Sequence, residues 1–205
     1  MGRDGYFENN ILKRNVIAVS TPKMDGSERY TYSDYITWPD NERFELIDGV
    51  PYLLASATPE HQEVSAQLHA SFVVYLQNKE CRAYAAPTDV TFEVDMNTRQ
   101  TVQPDLFVMC GRYEREKRII GVPVLVIEIL SPSSAKHDLI RKMTLYQRVH
   151  VKEYWVVDPE DKLINVYLHD GLGLRWSAAY AVDDNVTPSM FEDLVIAVGT
   201  VFERR

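Results

Sequence analysis

Two cysteines, nine glycines, a shortage of positive charge and no long apolar run mark what this chain of 205 residues has little of. Cys81 and Cys110 have neither the spacing of zinc ligands nor the density of a disulfide scaffold, so they are expected as small buried hydrophobes in a reducing cytoplasm. The sparse glycines form no phosphate-cradling loop. No Gly-x-Ser-x-Gly elbow and no His-Glu-x-x-His zinc motif occurs, which removes P-loop, serine-hydrolase and zincin chemistry. No apolar stretch approaches the roughly 20 residues needed to span a bilayer. The first residues lack a signal-peptide core, and Met1-Gly2 is followed by Tyr6 where a myristoylation signal needs Ser or Thr, so no membrane association is expected. The net charge of −8 argues against a nonspecific phosphate binder.

The charge is unevenly spread. Between Ser133 and Lys152 the cations Lys136, Arg141, Lys142, Arg148 and Lys152 face a single anion, Asp138, whereas the chain from Val157 onward is acid-rich. A local basic face on an acidic body suits a phosphate substrate.

Local patterns predict one α/β domain with a mixed sheet flanked by helices. Residues 1–28 read as a loosely held arm and 29–205 as the domain. Thr31 to Trp38 predicts a short helix ended by Pro39. Phe44 to Asp48, Gly49, and Val50 to Leu54 predict strand, turn and strand. Thr58-Pro59 is a cap followed by proline at the first helical position, and Val64, Leu68, Phe72, Tyr75 and Leu76 keep helical spacing to about Asn78. Strands are predicted near Arg82 to Ala86, Val90 to Val94 and Val102 to Cys110, the last two as a hairpin around Asp95 to Arg99. Gly111 to Ile120 reads as a charged loop or short helix. Val124 to Leu130 is a strand, and Ser131-Pro-Ser-Ser134 turns the chain and caps a helix to about Val149. Its apolar side is Leu139, Met143 and Tyr146, with Arg141 and Arg148 facing solvent or phosphate. Glu153 to Asp158 and Leu163 to His169 predict a second hairpin, and the tail to Phe202 is expected to be strand-rich.

Three acids interrupt these apolar strands. Glu128 lies inside Val124-Leu-Val-Ile-Glu-Ile-Leu130, a run that otherwise reads as a strand buried on both faces. An unpaired carboxylate there costs several kcal/mol, so Glu128 requires a cation, a proton or a donor, with Arg43 or Lys142 available. Asp105 follows Pro104 at the entrance to Leu106-Phe-Val-Met109, and Glu45 sits in Arg43-Phe-Glu-Leu-Ile47. Three acids on three short strands predict a carboxylate cluster at a sheet edge, the donor set of a hard divalent cation. Asp138 and Lys142 are four apart on one helix face, and Lys142 can point over the strand end toward the acids. Tyr146 is one turn further, and His61 lies in the first turn of its helix; both are candidate accessories, as is Asp138.

Pro104-Asp105 followed by Glu128-x-Leu130 resembles the signature of the PD-(D/E)XK, restriction-endonuclease-like superfamily. Phe44-Glu-Leu-Ile-Asp-Gly49, Thr58-Pro-Glu-His61, Gln103-Pro-Asp105, Pro123 to Ser133, and Asp138-x-x-x-Lys142-x-x-x-Tyr146 leading to Glu153-Tyr-Trp-Val-Val-Asp-Pro159 resemble the Uma-two family of bacterial endonucleases, from about residue 31 to 170. The resemblance implies that Asp105 and Glu128 ligate Mg²⁺ or Mn²⁺ with Glu45 as a third acid. The superfamily's lysine normally lies two residues after the second acid, where this chain has Leu130. The resemblance then implies that Lys142 supplies the amine from the following helix.

The expected activity is metal-dependent hydrolysis of DNA phosphodiester bonds in the cytoplasm, with Asp105, Glu128, Lys142 and Glu45 catalytic and a homodimer plausible for duplex cutting. Two alternatives stand beside it. One is a nuclease-fold binding or regulatory module without turnover, favoured by Leu130 and the −8 charge. The other is a metal hydrolase of small phosphoesters, which the acidic body would suit.

Overall fold

The structure, a computed structural model, describes residues 21–39, 41–131 and 135–203, without the side chains of 135–138. The predicted arm therefore lies, over residues 1–20, outside the described residues. So do the capping segment 132–134 and the side chain of Asp138.

In chain order the described elements begin with α1 (Tyr32–Tyr35), β1 (Phe44–Ile47), β2 (Val50–Leu53), α2 (Pro59–Tyr75), β3 (Arg82–Ala85) and β4 (Val90–Thr91). They continue with β5 (Leu106–Met109), β6 (Glu114–Arg115), β7 (Ile119–Ile120), β8 (Leu125–Ile129), α3 (Ala135–Arg148) and β9 (Glu153–Asp158). The last are β10 (Leu163–His169), β11 (Leu174–Tyr180), β12 (Asn185–Val186), β13 (Ile196–Ala197) and α4 (Val198–Phe202).

Six strands form the central sheet in the order β11-β10-β9-β8-β5-β3. Within this sheet β8 and β9 are the parallel pair, and α3 makes the crossover that parallel neighbours require. Strand β8 is central and buried at all five positions, which is why its sequence is an unbroken apolar run apart from Glu128. Alternation along β8 sends Leu125, Ile127 and Ile129 to one face, against Val64, Leu68 and Phe72 of α2. Val126 goes to the other face, with Leu145 and Tyr146 of α3. The two helices thus cover opposite faces of one sheet.

Helix α2 starts where the sequence indicates. Thr58 Oγ1 accepts a hydrogen bond from His61 N at 3.2 Å, and Pro59 occupies the position whose missing N–H costs nothing. The β1–β2 hairpin turns at Asp48 and Gly49, both at positive φ (52° and 76°). Gly49 is required there because an added Cβ would come within 3.1 Å of the Tyr30 carbonyl. The hairpin lies beside α3: Arg141 stacks over Tyr52 at 3.9 Å, and Arg148 pairs with Asp48 at 2.8 Å. Arg148 is exposed, as expected, while it pairs with Asp48, whereas Arg141 is half-buried against the aromatic face of Tyr52.

Other expectations need correction. The hairpin expected between residues 90–94 and 102–110 is reduced to one antiparallel bridge, Val90 to Val102. Strand β4 instead runs parallel to β7, and β5 joins the central sheet between β3 and β8. The charged segment after Gly111 carries β6 and β7, not a helix. The tail is strand-rich as expected, with β11 to β13, and adds the short helix α4. Cys81 and Cys110, expected as free thiols, form a disulfide. They lie one residue beyond Arg82↔Met109, the outer pair of the β3–β5 ladder, so antiparallel pairing brings together two cysteines 29 residues apart.

Candidate active site

The ends of β5 and β8 set the first two acids. Leu106 pairs with Ile127 in antiparallel register, so one further step places Asp105 opposite Glu128. Asp105 sits at a bend just outside β5, where the pleat no longer dictates direction. Its Oδ2 accepts from Ile129 N at 2.8 Å and lies 3.1 Å from His61 Nε2. Asp105 is therefore held to the backbone beside Glu128 and to α2.

Helix α3 answers the buried charge of Glu128. Lys142 Nζ lies 3.0 Å from Glu128 Oε2 and 3.1 Å from Glu45 Oε1, and Tyr146 donates to Glu128 Oε1 at 2.7 Å. Lys142 and Tyr146 are four residues apart, so both project from one face of α3 onto the same carboxylate. Of the two cations available to Glu128, Lys142 is the one used. Arg43 instead donates through Nε to Gln103 Oε1 at 2.9 Å.

Glu45 is fully buried although its strand could have left it half-exposed. Its Oε1 accepts from Gln103 N at 2.9 Å as well as from Lys142, while Oε2 is buried with no hydrogen-bond partner among the described residues. Gln103 ties this acid to a polar network that sequence reasoning missed. Its side-chain amide donates to Asp89 Oδ1 at 2.8 Å and to Tyr35 OH at 3.2 Å, and Tyr35 OH donates to Asp89 Oδ1 at 2.9 Å. Burial raises the Asp89 carboxyl above its ordinary range. The only sequence signal for the network was a glutamine beside Pro104-Asp105; its partners are scattered from residue 35 to 89.

Burial also raises Glu128, to about 8, because desolvation outweighs the attraction of Lys142, and Asp105 and Glu45 add like-charge repulsion. Burial beside Glu128 likewise pushes Tyr146 up, so it stays a neutral donor.

Among the described residues no three His, Cys, Asp or Glu side chains form a ready ligand cage. A hard cation such as Mg²⁺ is usually held by one or two carboxylates, with waters and substrate phosphates completing the shell. The donors suit it. Asp105 and Glu128 are carboxylates at opposed register positions, near enough that Asp105 repels the charge of Glu128, and Glu45 Oε2 is a buried oxygen with no hydrogen-bond partner among the described residues. Of the expected residues, Glu45, Asp105, Glu128, Lys142, Tyr146 and His61 come together.

A mixed sheet flanked by helices, with carboxylates at its centre, is a restriction-endonuclease-like α/β fold. Residues 32–199 match the Uma2 family, described as "Putative restriction endonuclease", and the chain belongs to that family. An uncharacterized protein of Synechocystis sp. is 28% identical over 138 residues, which span 65% of this chain and 71% of the relative. A crystal structure from Anabaena variabilis, described as "a putative nuclease belonging to DUF820", shares the fold with a TM-score of 0.68 at 19% identity, covering 84% of this chain and 97% of its own. No helix among the described residues is long and apolar enough to cross a membrane.

Proposed function

We propose that this chain is an endonuclease that hydrolyses DNA phosphodiester bonds with Mg²⁺ or Mn²⁺, held by Asp105 and Glu128 with Glu45 as the third acid. The observation that supports this most is Lys142, buried between Glu45 and Glu128 at 3.1 and 3.0 Å, at the end of β8 where Asp105 also lies. It supplies the amine that Leu130 lacks, from the next element of the chain. A bound divalent cation would neutralise charge on the scissile phosphate and acidify a water.

The protein's own groups do the rest. The ammonium of Lys142 offers donors and positive charge where the phosphoryl oxygens gain charge, in a setting poor in water. Tyr146 orients Glu128 by holding Oε1, and Gln103 N together with Lys142 orients Glu45 by holding Oε1. Cutting both strands of a duplex calls for two such sites, which a pair of chains would supply.

The test is incubation of the purified protein with supercoiled and linear DNA in Mg²⁺, Mn²⁺ or EDTA. Cleavage that requires the metal and disappears in the Asp105→Ala, Glu128→Ala double mutant supports the reading. A protein that binds DNA without cutting it would support a binding module. Turnover of small phosphoesters alone would support the small-substrate hydrolase.

A further inference from the structure

We infer that His61 is a positioning residue that holds the Asp105 carboxylate in its metal-ligating orientation through Nε2; this rests on the nuclease reading above. Three observations carry it. First, His61 is the N-terminal member of the buried stripe of α2 that continues through Val64, Leu68 and Phe72. The stripe is apolar wherever it meets the sheet and becomes polar at the one place where it meets a carboxylate.

Second, the backbone of His61 is locked. Its N–H donates to Thr58 Oγ1 at 3.2 Å in the helix cap, so the imidazole leaves the helix in a set direction. Third, the contact fixes the tautomer. A carboxylate oxygen such as Asp105 Oδ2, 3.1 Å from Nε2, accepts, so Nε2 carries the hydrogen, and Nδ1 is left buried without a partner among the described residues. An imidazole that leaves one buried nitrogen unpaired to keep the other on Asp105 is spending a hydrogen-bonding group on orientation.

With Ile129 N at 2.8 Å, His61 gives Oδ2 two donors. The acids of neighbouring strands are thereby held from opposite faces of the sheet: Asp105 by α2, Glu128 by α3. Carboxylates that bind metals are commonly fixed by such outer partners, whose loss costs about 10–100-fold in metal affinity.

The experiment measures Mn²⁺ affinity without DNA, by electron paramagnetic resonance, in wild type and in His61→Ala, His61→Gln and His61→Asn. The amide nitrogen of glutamine falls close to Nε2, whereas that of asparagine falls close to Nδ1. Weakening of about tenfold or more in the Ala and Asn variants, with Gln restored to within a few-fold of wild type, is the expected pattern. DNA cleavage at saturating Mn²⁺ should then recover most of kcat in His61→Ala, since the defect is in presenting the metal ligand. In the metal-free protein, imidazole ¹⁵N shifts should report the Nε2–H tautomer and should lose that preference in Asp105→Ala, which removes the acceptor.

Unchanged Mn²⁺ affinity in His61→Ala, rescue by Asn in place of Gln, or an Nδ1–H tautomer would overturn the inference while leaving the nuclease reading intact. A wild-type protein that neither binds Mn²⁺ nor cuts DNA would overturn both.

Discussion

The ammonium of Lys142 lies 3.0 Å from Oε2 of Glu128, and the two residues belong to a strand and the helix that directly follows it. A carboxylate in the middle of a central strand is thus paired from the crossover that covers its own face. Its cost of burial is offset in part and locally, by a cation 14 positions further along the chain.

Lys142→Met should lower DNA turnover by about 2.7 kcal/mol or more, of order 10²-fold. It should also destabilise the fold by about 3 kcal/mol, because it strips the counter-charge from two buried acids. Urea unfolding and single-turnover cleavage read the two effects separately. Turnover equal to wild type in the folded mutant would show that this amine has no part in the reaction.

Mn²⁺ binding should tighten as pH rises. Glu128 is raised to about 8, so at neutral pH a proton must leave before the carboxylate can ligate. Affinity should therefore climb by up to about tenfold per pH unit below about pH 8 and flatten above it. The sign for metal-free stability is opposite: the folded state holds this proton more tightly than the unfolded chain, so the contribution is fully present below about pH 4.5 and is lost as pH rises to about 8. Calorimetry in two buffers of different ionisation enthalpy would count the released proton.

Tyr146→Phe should move that titration further up. The Tyr146 hydroxyl, at 2.7 Å from Oε1, favours the ionised form of Glu128, and phenylalanine keeps the packing but removes the donor. Mn²⁺ affinity near pH 7 should fall while affinity above about pH 9 changes little, with a stability loss of about 1–2 kcal/mol. A pH profile superimposable on wild type would show that the hydroxyl does not tune this acid.

Reduction of Cys81–Cys110 should cost stability and spare activity. The bridge spans 29 residues, for which loop-closure entropy gives about 3–4 kcal/mol. Cys110 follows the far end of β5 from Asp105, so the site has no direct contact with it. Thermal melts and cleavage assays with and without dithiothreitol check both halves. Loss of cleavage at a temperature where the reduced protein stays folded would tie the bridge to the site.

Local physics made much of this protein legible before any fold was known. Thr58-Pro59 opens α2, Asp48-Gly49 turns the first hairpin, Asp158 to Asp161 turns the second, and the apolar run around Glu128 marks a strand buried on both faces, because caps, turns and periodicity depend only on near neighbours. Glu128 stood out for the same reason, as a charge where local pattern demanded an apolar group, and Glu45 and Asp105 joined it only as acids on or beside other short apolar strands. Tertiary structure decided everything that depends on register. A β5–β8 ladder in antiparallel register sets Asp105 opposite Glu128, and a β3–β5 ladder joins Cys81 to Cys110. The rotation of α3 turned Lys142 inward, and the convergence of three segments let Gln103 bind Glu45, Asp89 and Arg43 at once. The Arg43–Gln103 pairing joins residues 60 positions apart, and Gln103 with Tyr35 spans 68. Their energy comes from contacts that exist only once the chain has closed, so no local pattern encodes them.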